Sequence, residues 1–250
     1  MVDQLIPRLE VHPLPEGVAR VAAAFIVERL ERADREHGRS RIALCGGSTP
    51  AATYALLAEP IRTNPWGQRV EFYWGDERFV PADSPLSNFR LAASTLLTPA
   101  EVTAARTHRI VTEGAGDASA AAERYESLLR ALPGAGETTF DVAVQGIGPD
   151  GHTASLFPGD PALEETRRWS VGVHESPQPP HVPRITLTLP ALNRTQSVVL
   201  LATGAEKASI VRQALAPTCE GVPLLPAAQV QGTTETVWFL DAAAAAPLAI

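Results

Sequence analysis

Asp150 and His152 are the residues of this chain best placed to do chemistry. They stand in the segment 140–159, FDVAVQGIGPDGHTASLFPG, where an apolar strand runs into a glycine-rich loop. Gly146, Gly148 and Gly151 have no side chains in the way, so the loop's backbone N–H groups can approach an anionic ligand. Histidine is the side chain matched to proton transfer near neutral pH, which makes His152 the candidate acid/base. Asp150 has two readings, as an orienter of the imidazole or as a cap on its own loop. The other histidines, His12, His37, His108, His174 and His181, lack such surroundings and read as structural. An anion cradle beside a proton-transfer group outlines an active site for a phosphorylated metabolite.

Other loops carry compatible chemistry. Cys45-Gly46-Gly47-Ser48-Thr49-Pro50 joins a strand to a helix, and its N–H groups and hydroxyls suit a phosphate or a carbonyl oxygen at the helix N-terminus. Its local reading has Ser48 or Thr49 as N-cap and Pro50 at the first helical position. No Walker lysine is present, so this is not a nucleotide triphosphate loop. Pro50 stands where a G-x-S-x-G elbow has its last glycine, which speaks against Ser48 as a hydrolase nucleophile. Segment 146–151 spells G-x-G-x-x-G, yet Pro158, Gly159 and Pro161 break the helix that a nicotinamide-binding fingerprint needs. WGDERFVP, 74–81, reads as a charged turn at a strand end, where Arg78 suits a phosphate and Asp76 a sugar hydroxyl. Lys207 opens a helix after an apolar strand and can reach a ligand phosphate, and Arg184 is a further basic candidate.

These residues need elements to hold them. Val18, Val21, Ala22, Phe25, Ile26 and Leu30 recur at helical spacing, with Gly38 as a stop. Strands are expected over 41–45, 70–74, 140–145, 169–173, 184–189, 197–202 and 237–240. Helices are expected after Pro50 and over 87–97, 117–132 and 205–215. Strands that alternate with helices and read as continuous apolar runs indicate a mostly parallel sheet covered on both faces. In such sheets ligands sit beyond the carboxyl ends of strands, where the loops after Cys45, Trp74, Gln145 and Ala202 converge. Residues 175–183 form a stiff proline-rich loop.

Composition narrows the class. The chain has 250 residues, 45% hydrophobic and 20% charged, the balance of a soluble globular protein with a sizeable core. A net charge of −7 argues against nucleic acid or an acidic membrane surface as partner, so a bound anion must be held by a local cluster. Cys45 and Cys219 lie far apart, outside any C-x-x-C pair, and suggest neither a disulfide framework nor a zinc site. No signal-like start or membrane-length apolar run appears, so a cytoplasmic protein is expected. Without internal repeats or a clear linker, residues 1–250 read as a single domain with an alanine-rich tail over about 241–250.

Taken together, ALCGGSTPAATY, WGDERFVP with SNFRLA, GIGPDGHTASLFPG, PRITLTLPALN and GAEKA resemble the 6-phosphogluconolactonases, in the family's order across 42–208. Those enzymes belong with the glucosamine-6-phosphate deaminases, which carry a similar glycine loop, acidic pair and aspartate-glycine-histidine. Two positions favour the lactonase branch over the deaminase alternative. Phe157 stands where deaminases carry a glutamate used in ring opening, and Arg78 where they have tyrosine. The resemblance implies hydrolysis of 6-phospho-D-glucono-1,5-lactone without metal or cofactor, with His152 as general base. The same reading implies a three-layer α/β/α fold of Rossmann-like topology, expects Asp150 to orient the imidazole or cap its loop, and assigns Gly46, Gly47, Ser48, Thr49, Asp76, Arg78, Gly148, Gly151, Arg184 and Lys207 to substrate binding. Backbone N–H groups of either glycine loop would meet the oxyanion. The expected partner is the small sugar-phosphate lactone, and the expected state a monomer or weak homo-oligomer. A sugar-phosphate-binding protein without catalysis is the third reading, opposed by His152 beside Asp150.

Overall fold

The computed structural model describes residues 6–134, 136–216 and 224–248. Its strands are β1 (Arg8–His12), β2 (Ser40–Leu44), β3 (Val70–Trp74), β4 (Asp76–Arg78), β5 (Val142–Gly146), β6 (Ser170–Val173), β7 (Arg184–Leu187), β8 (Ser197–Ala202) and β9 (Glu235–Asp241). Its helices are α1 (Pro15–His37), α2 (Ser48–Thr63), α3 (Asn88–Ala92), α4 (Ala118–Arg130), α5 (Leu189–Leu192), α6 (Ala208–Leu215), α7 (Pro226–Gln229) and α8 (Ala242–Ala245).

A six-stranded sheet runs in the order β1-β9-β8-β5-β2-β3, with every neighbouring pair parallel. β2 and β8 are buried along their whole length, as strands covered on both faces must be. The helices complete the expected three-layer α/β/α arrangement. α1 turns Val18, Ala22, Ile26 and Leu30 into the core and ends at Gly38, whose φ of 72° gives the left-handed C-terminal turn. α4 is tied to the sheet by Tyr125, whose hydroxyl accepts from the Trp74 N–H at 2.9 Å and donates to the Trp74 carbonyl at 3.0 Å.

The structure departs from the sequence reading in three places. β1 was not expected; its RLEVH alternates and lies at a sheet edge with β9 as its one neighbour, so it lacks an apolar run. The charged turn expected after Trp74 contains a short strand instead. β4 pairs antiparallel with β7, and β7 with β6, making a separate three-stranded sheet. Its Glu77 is buried because it closes the start of α3, accepting from the N–H groups of Arg78, Asn88 and Phe89 and the Ser87 hydroxyl at 2.7–2.9 Å. At α2, Gly47 is the N-cap with φ 112°, so Ser48 opens the helix and Pro50 is its third residue. The alanine-rich tail is ordered through the short α8. Asp241 caps it by accepting from the Ala244 N–H at 2.8 Å, and Ala244 and Ala245 are buried. Cys219 lies outside the described residues.

The site follows from the topology. From β2 the chain moves outward to β3, whereas from β5 it moves the other way to β8. Between the carboxyl ends of β2 and β5 the strand order reverses, and a crevice opens there.

Candidate active site

A cleft of about 280 Å³ occupies that crevice. Of the sequence-predicted residues it is lined by Gly46, Gly47, Ser48, Thr49, Asp76, Arg78, Gly148, His152, Arg184 and Lys207. Asp150 stands behind His152, and Gly151 lies elsewhere.

His152 and Asp150 form a dyad. Nδ1 of His152 is 2.5 Å from Oδ1 of Asp150, which also accepts the His152 backbone N–H at 3.2 Å. Both readings of Asp150 therefore hold, since the carboxylate orients the ring and closes its own loop. Burial lowers the His152 pKa below its ordinary 6.5, against the pull of Asp150. For Asp150 burial acts upward, but the His152 ring and the Gln178 amide overcome it and hold the carboxyl below its usual range. Near neutral pH the pair is thus carboxylate and neutral imidazole. An ionised Asp150 accepts, so Nδ1 carries the proton and Nε2 keeps its lone pair.

The glycines of this loop do a different job from the one expected. A Cβ on Gly148 would lie 2.0 Å from Cε1 of His152, so the imidazole fills the space that Gly148 leaves. Gly148 N–H donates to the His152 carbonyl at 2.8 Å and Gly151 N–H to the Gly148 carbonyl at 3.0 Å. Neither is left for an oxyanion. Gly151, with φ 85°, backs onto Leu225 and its carbonyl accepts from Ala227, a turn position away from the cleft. These corrections have one cause: the loop folds round its own histidine.

The β2–α2 loop keeps its donors. The N–H groups of Gly47, Ser48 and Thr49 have no protein acceptor among the described residues, as expected for the first turn of a helix. They form, with the helix dipole, an anion-binding end. Thr49 Oγ1 lies 2.8 Å from Thr203 Oγ1, which joins this loop to the one after β8. The neighbouring Cys45 thiol is buried and pushed up to about 12, chiefly by that burial, which favours its protonated form.

Cations close the cleft. Arg78 and Arg184 face each other in register across β4 and β7. Like charges directly opposite are unfavourable in a sheet unless something negative answers them. Among the described residues none of Arg78, Arg184 and Lys207 has a carboxylate partner within 4.0 Å. Arg78 donates to the Leu86 carbonyl at 2.7 Å and Lys207 to the Ile147 carbonyl at 2.8 Å. Among the described residues the Nε atoms of both arginines are buried without a partner. Asp76 is fixed by Asn88 Nδ2 at 2.9 Å and by the Ser155 hydroxyl at 2.7 Å.

Asn88, Thr153 and Thr203 also line the cleft and were missed. Asn88 Oδ1 is buried and unpartnered, and a Cβ on Gly46 would lie 2.1 Å from it. SNFRLA held the signal for Asn88, as a short polar helix start directly after the acidic pair. Among the described residues no cluster of three or more His, Cys, Asp or Glu could hold a metal, and no helix is long and apolar enough to cross a membrane.

Fold and cleft together define an α/β enzyme with its site at the switch point of a parallel sheet. The family model described as glucosamine-6-phosphate isomerases/6-phosphogluconolactonase matches residues 13–238, and the chain belongs to that family. A 6-phosphogluconolactonase of Streptomyces coelicolor is 38% identical, over 97% of this chain and 95% of its own. That of Mycobacterium tuberculosis is 36% identical, over 96% and 98%. The solved 6-phosphogluconolactonase of Trypanosoma brucei superposes with a TM-score of 0.84 at 33% identity, covering 97% of this chain and 99% of that one. A monomeric glucosamine-6-phosphate deaminase shares the fold, with a TM-score of 0.77 at 22% identity.

Proposed function

We propose that this chain is a hydrolase that opens 6-phospho-D-glucono-1,5-lactone to 6-phospho-D-gluconate, the lactone step of the oxidative pentose phosphate pathway. The relatives named for that reaction support it over nearly the whole chain. The observation that carries it is local. In a chain of net charge −7, three cations without carboxylate partners among the described residues share one cleft with His152 of the His–Asp dyad.

His152 Nε2 takes a proton from water as the water oxygen bonds to C1 of the lactone. The carbonyl electron pair moves onto its oxygen, then returns as the C1–ring oxygen bond breaks. His152 gives its proton to the departing ring oxygen, and the net change is addition of one water. Proton transfer of this kind contributes about 10²–10⁴-fold. Asp150 holds the tautomer that leaves Nε2 free. Lys207, Arg78 and Arg184 answer the phosphate, whose remote binding energy positions the carbonyl. The N–H groups of Gly47, Ser48 and Thr49 are the backbone donors left for negative charge on the substrate. Asp76, held by Asn88 and Ser155, meets a sugar hydroxyl. No step calls for a metal or a redox cofactor, because a lactone is already electrophilic.

The isomerase branch of the family needs a proton-moving group where Phe157 stands, and a phenyl ring cannot supply it. The same reading takes residues 1–250 as one catalytic domain, working in the cytoplasm as a monomer or weak homo-oligomer.

The direct test generates the lactone with a glucose-6-phosphate dehydrogenase and follows proton release. Acceleration above the spontaneous rate on adding this protein is expected. An unchanged rate with folded protein overturns the reading.

A further inference from the structure

The Asp150–His152 dyad has a neighbour on its far side. Asp150 gives Oδ1 to His152, while its Oδ2 accepts from Nε2 of Gln178 at 3.0 Å. Gln178 belongs to the proline-rich segment 175–183, which has no regular structure, and it does not line the cleft.

An amide on such a loop would ordinarily be free to turn away, but this loop is fastened. The Gln178 carbonyl accepts from the Ser176 hydroxyl at 2.7 Å and from Arg184 Nη2 at 3.0 Å. The same Nη2 reaches the carbonyls of Pro179 and Pro180 at 3.3 and 3.2 Å. His181 Nδ1 lies 2.9 Å from the Ser176 carbonyl. Arg184 is only 2% exposed and is held in β7, so the loop hangs from a rigid element.

A carboxylate with a donor on one oxygen can still rotate. With donors fixed on both, its plane is set, and so is the plane of the ring it holds. Outer partners of this kind are worth about 10–100-fold in activity at metal-bound histidines, where the same logic applies.

We propose that Gln178 is a positioning residue for the dyad: its amide locks the Asp150 carboxylate so that Oδ1 holds Nδ1 of His152 and Nε2 is aimed into the cleft. The inference rests on the reading of His152 as the base. Because Gln178 acts through Asp150 and not on the substrate, its loss lowers kcat and spares KM.

The test is Gln178→Met, which keeps the side-chain length and the backbone carbonyl that Arg184 holds, and removes only the amide. The groups facing His152, namely Asp150, Asp76 and Arg184, are untouched. Two readouts are taken: kcat and KM on the enzymatically generated lactone, and the His152 titration midpoint by NMR without substrate. A fall in kcat of about 10–100-fold is expected, with KM within about twofold and the midpoint displaced by about half a pH unit or more. Unchanged kcat and midpoint, or a loss confined to KM, overturns the proposal. Wild-type protein that leaves the lactone untouched would sink the lactonase reading instead, and the midpoint comparison would then judge Gln178 alone. Gln178→Leu gives the same comparison should the Met variant not fold.

Discussion

The ring of Phe157 lies against the imidazole of His152, with centroids 4.7 Å apart and planes inclined at 50°. Phe157 is fully buried, and the Arg184 guanidinium sits 5.4 Å from its centroid on the β7 side. Phe157 thus shapes the surroundings of the imidazole proposed as the base. It removes water from one side of the imidazole, and burial is the leading cause of the lowered His152 pKa.

Replacing Phe157 should therefore move a pH profile. Burial holds the His152 pKa below 6.5, so the neutral imidazole persists below that pH, and the acid limb of kcat/KM is expected there. Phe157→Leu admits water, lets the pKa rise and shifts the acid limb to higher pH, with little change above neutrality. Stability carries the same sign. As pH falls below about 6.5 the unfolded ring takes up a proton that the folded ring resists, and this contribution to stability declines. A limb that stays in place would detach Phe157 from the base.

His152→Ala should lose about 10²–10⁴-fold in kcat, the ordinary share of acid–base catalysis, with little change in substrate affinity. Near-normal turnover in a folded variant would remove His152 from the role.

Gly148→Ala should be nearly as damaging although it deletes nothing. The added Cβ would stand 2.0 Å from Cε1 and 2.1 Å from Nδ1 of His152, so the ring must leave its place on Asp150. Loss of the His152 NMR signature of the dyad together with kcat is expected. A Gly148→Ala enzyme with wild-type kcat would contradict the placement of the ring.

Phosphate recognition is tested by comparing phosphorylated and unphosphorylated gluconolactone on Arg78→Ala and Lys207→Ala. Each substitution should cost about 2–5 kcal/mol in kcat/KM on the phosphorylated lactone, the range for desolvated charge pairs. The unphosphorylated lactone should be poor for wild type and nearly insensitive to the changes. Equal losses on both substrates would mean that these cations do not read phosphate.

Ser48 opens α2 and lines the cleft, and among the described residues no hydrogen bond joins its hydroxyl to His152. Ser48→Ala should cost no more than a hydrogen bond, about 0.5–1.5 kcal/mol. Serine-directed covalent inhibitors should leave activity intact, and a stoichiometric adduct on Ser48 with inactivation would restore the serine-hydrolase reading.

Much of the frame was legible because β2, β3, β5 and β8 are apolar runs followed by unusual loops, and the loops are the site. What sequence hid depends on contacts between distant segments. Asp76 and Glu77 look like a solvated turn, yet Glu77 is buried by N–H groups at the start of α3, including those of Asn88 and Phe89. Gly148 and Gly151 look like anion donors until the His152 ring and Leu225 are seen filling the space beside them. Arg184 looked secondary because only the antiparallel pairing of β4 with β7 sets it opposite Arg78. Gln178, in a proline-rich loop, gave no signal at all.

Asp241 has a second duty beyond capping α8. Its two carboxylate oxygens also accept the Gly204 N–H, each at 3.1 Å, and Gly204 begins the turn that presents Lys207. The monotonous alanine stretch at the C-terminus and the turn that carries the cleft's lysine thus share one carboxylate. Trimming the chain after Asp241, or fusing a bulky tag against α8, would loosen a ligand that compositional bias alone would mark as remote from it.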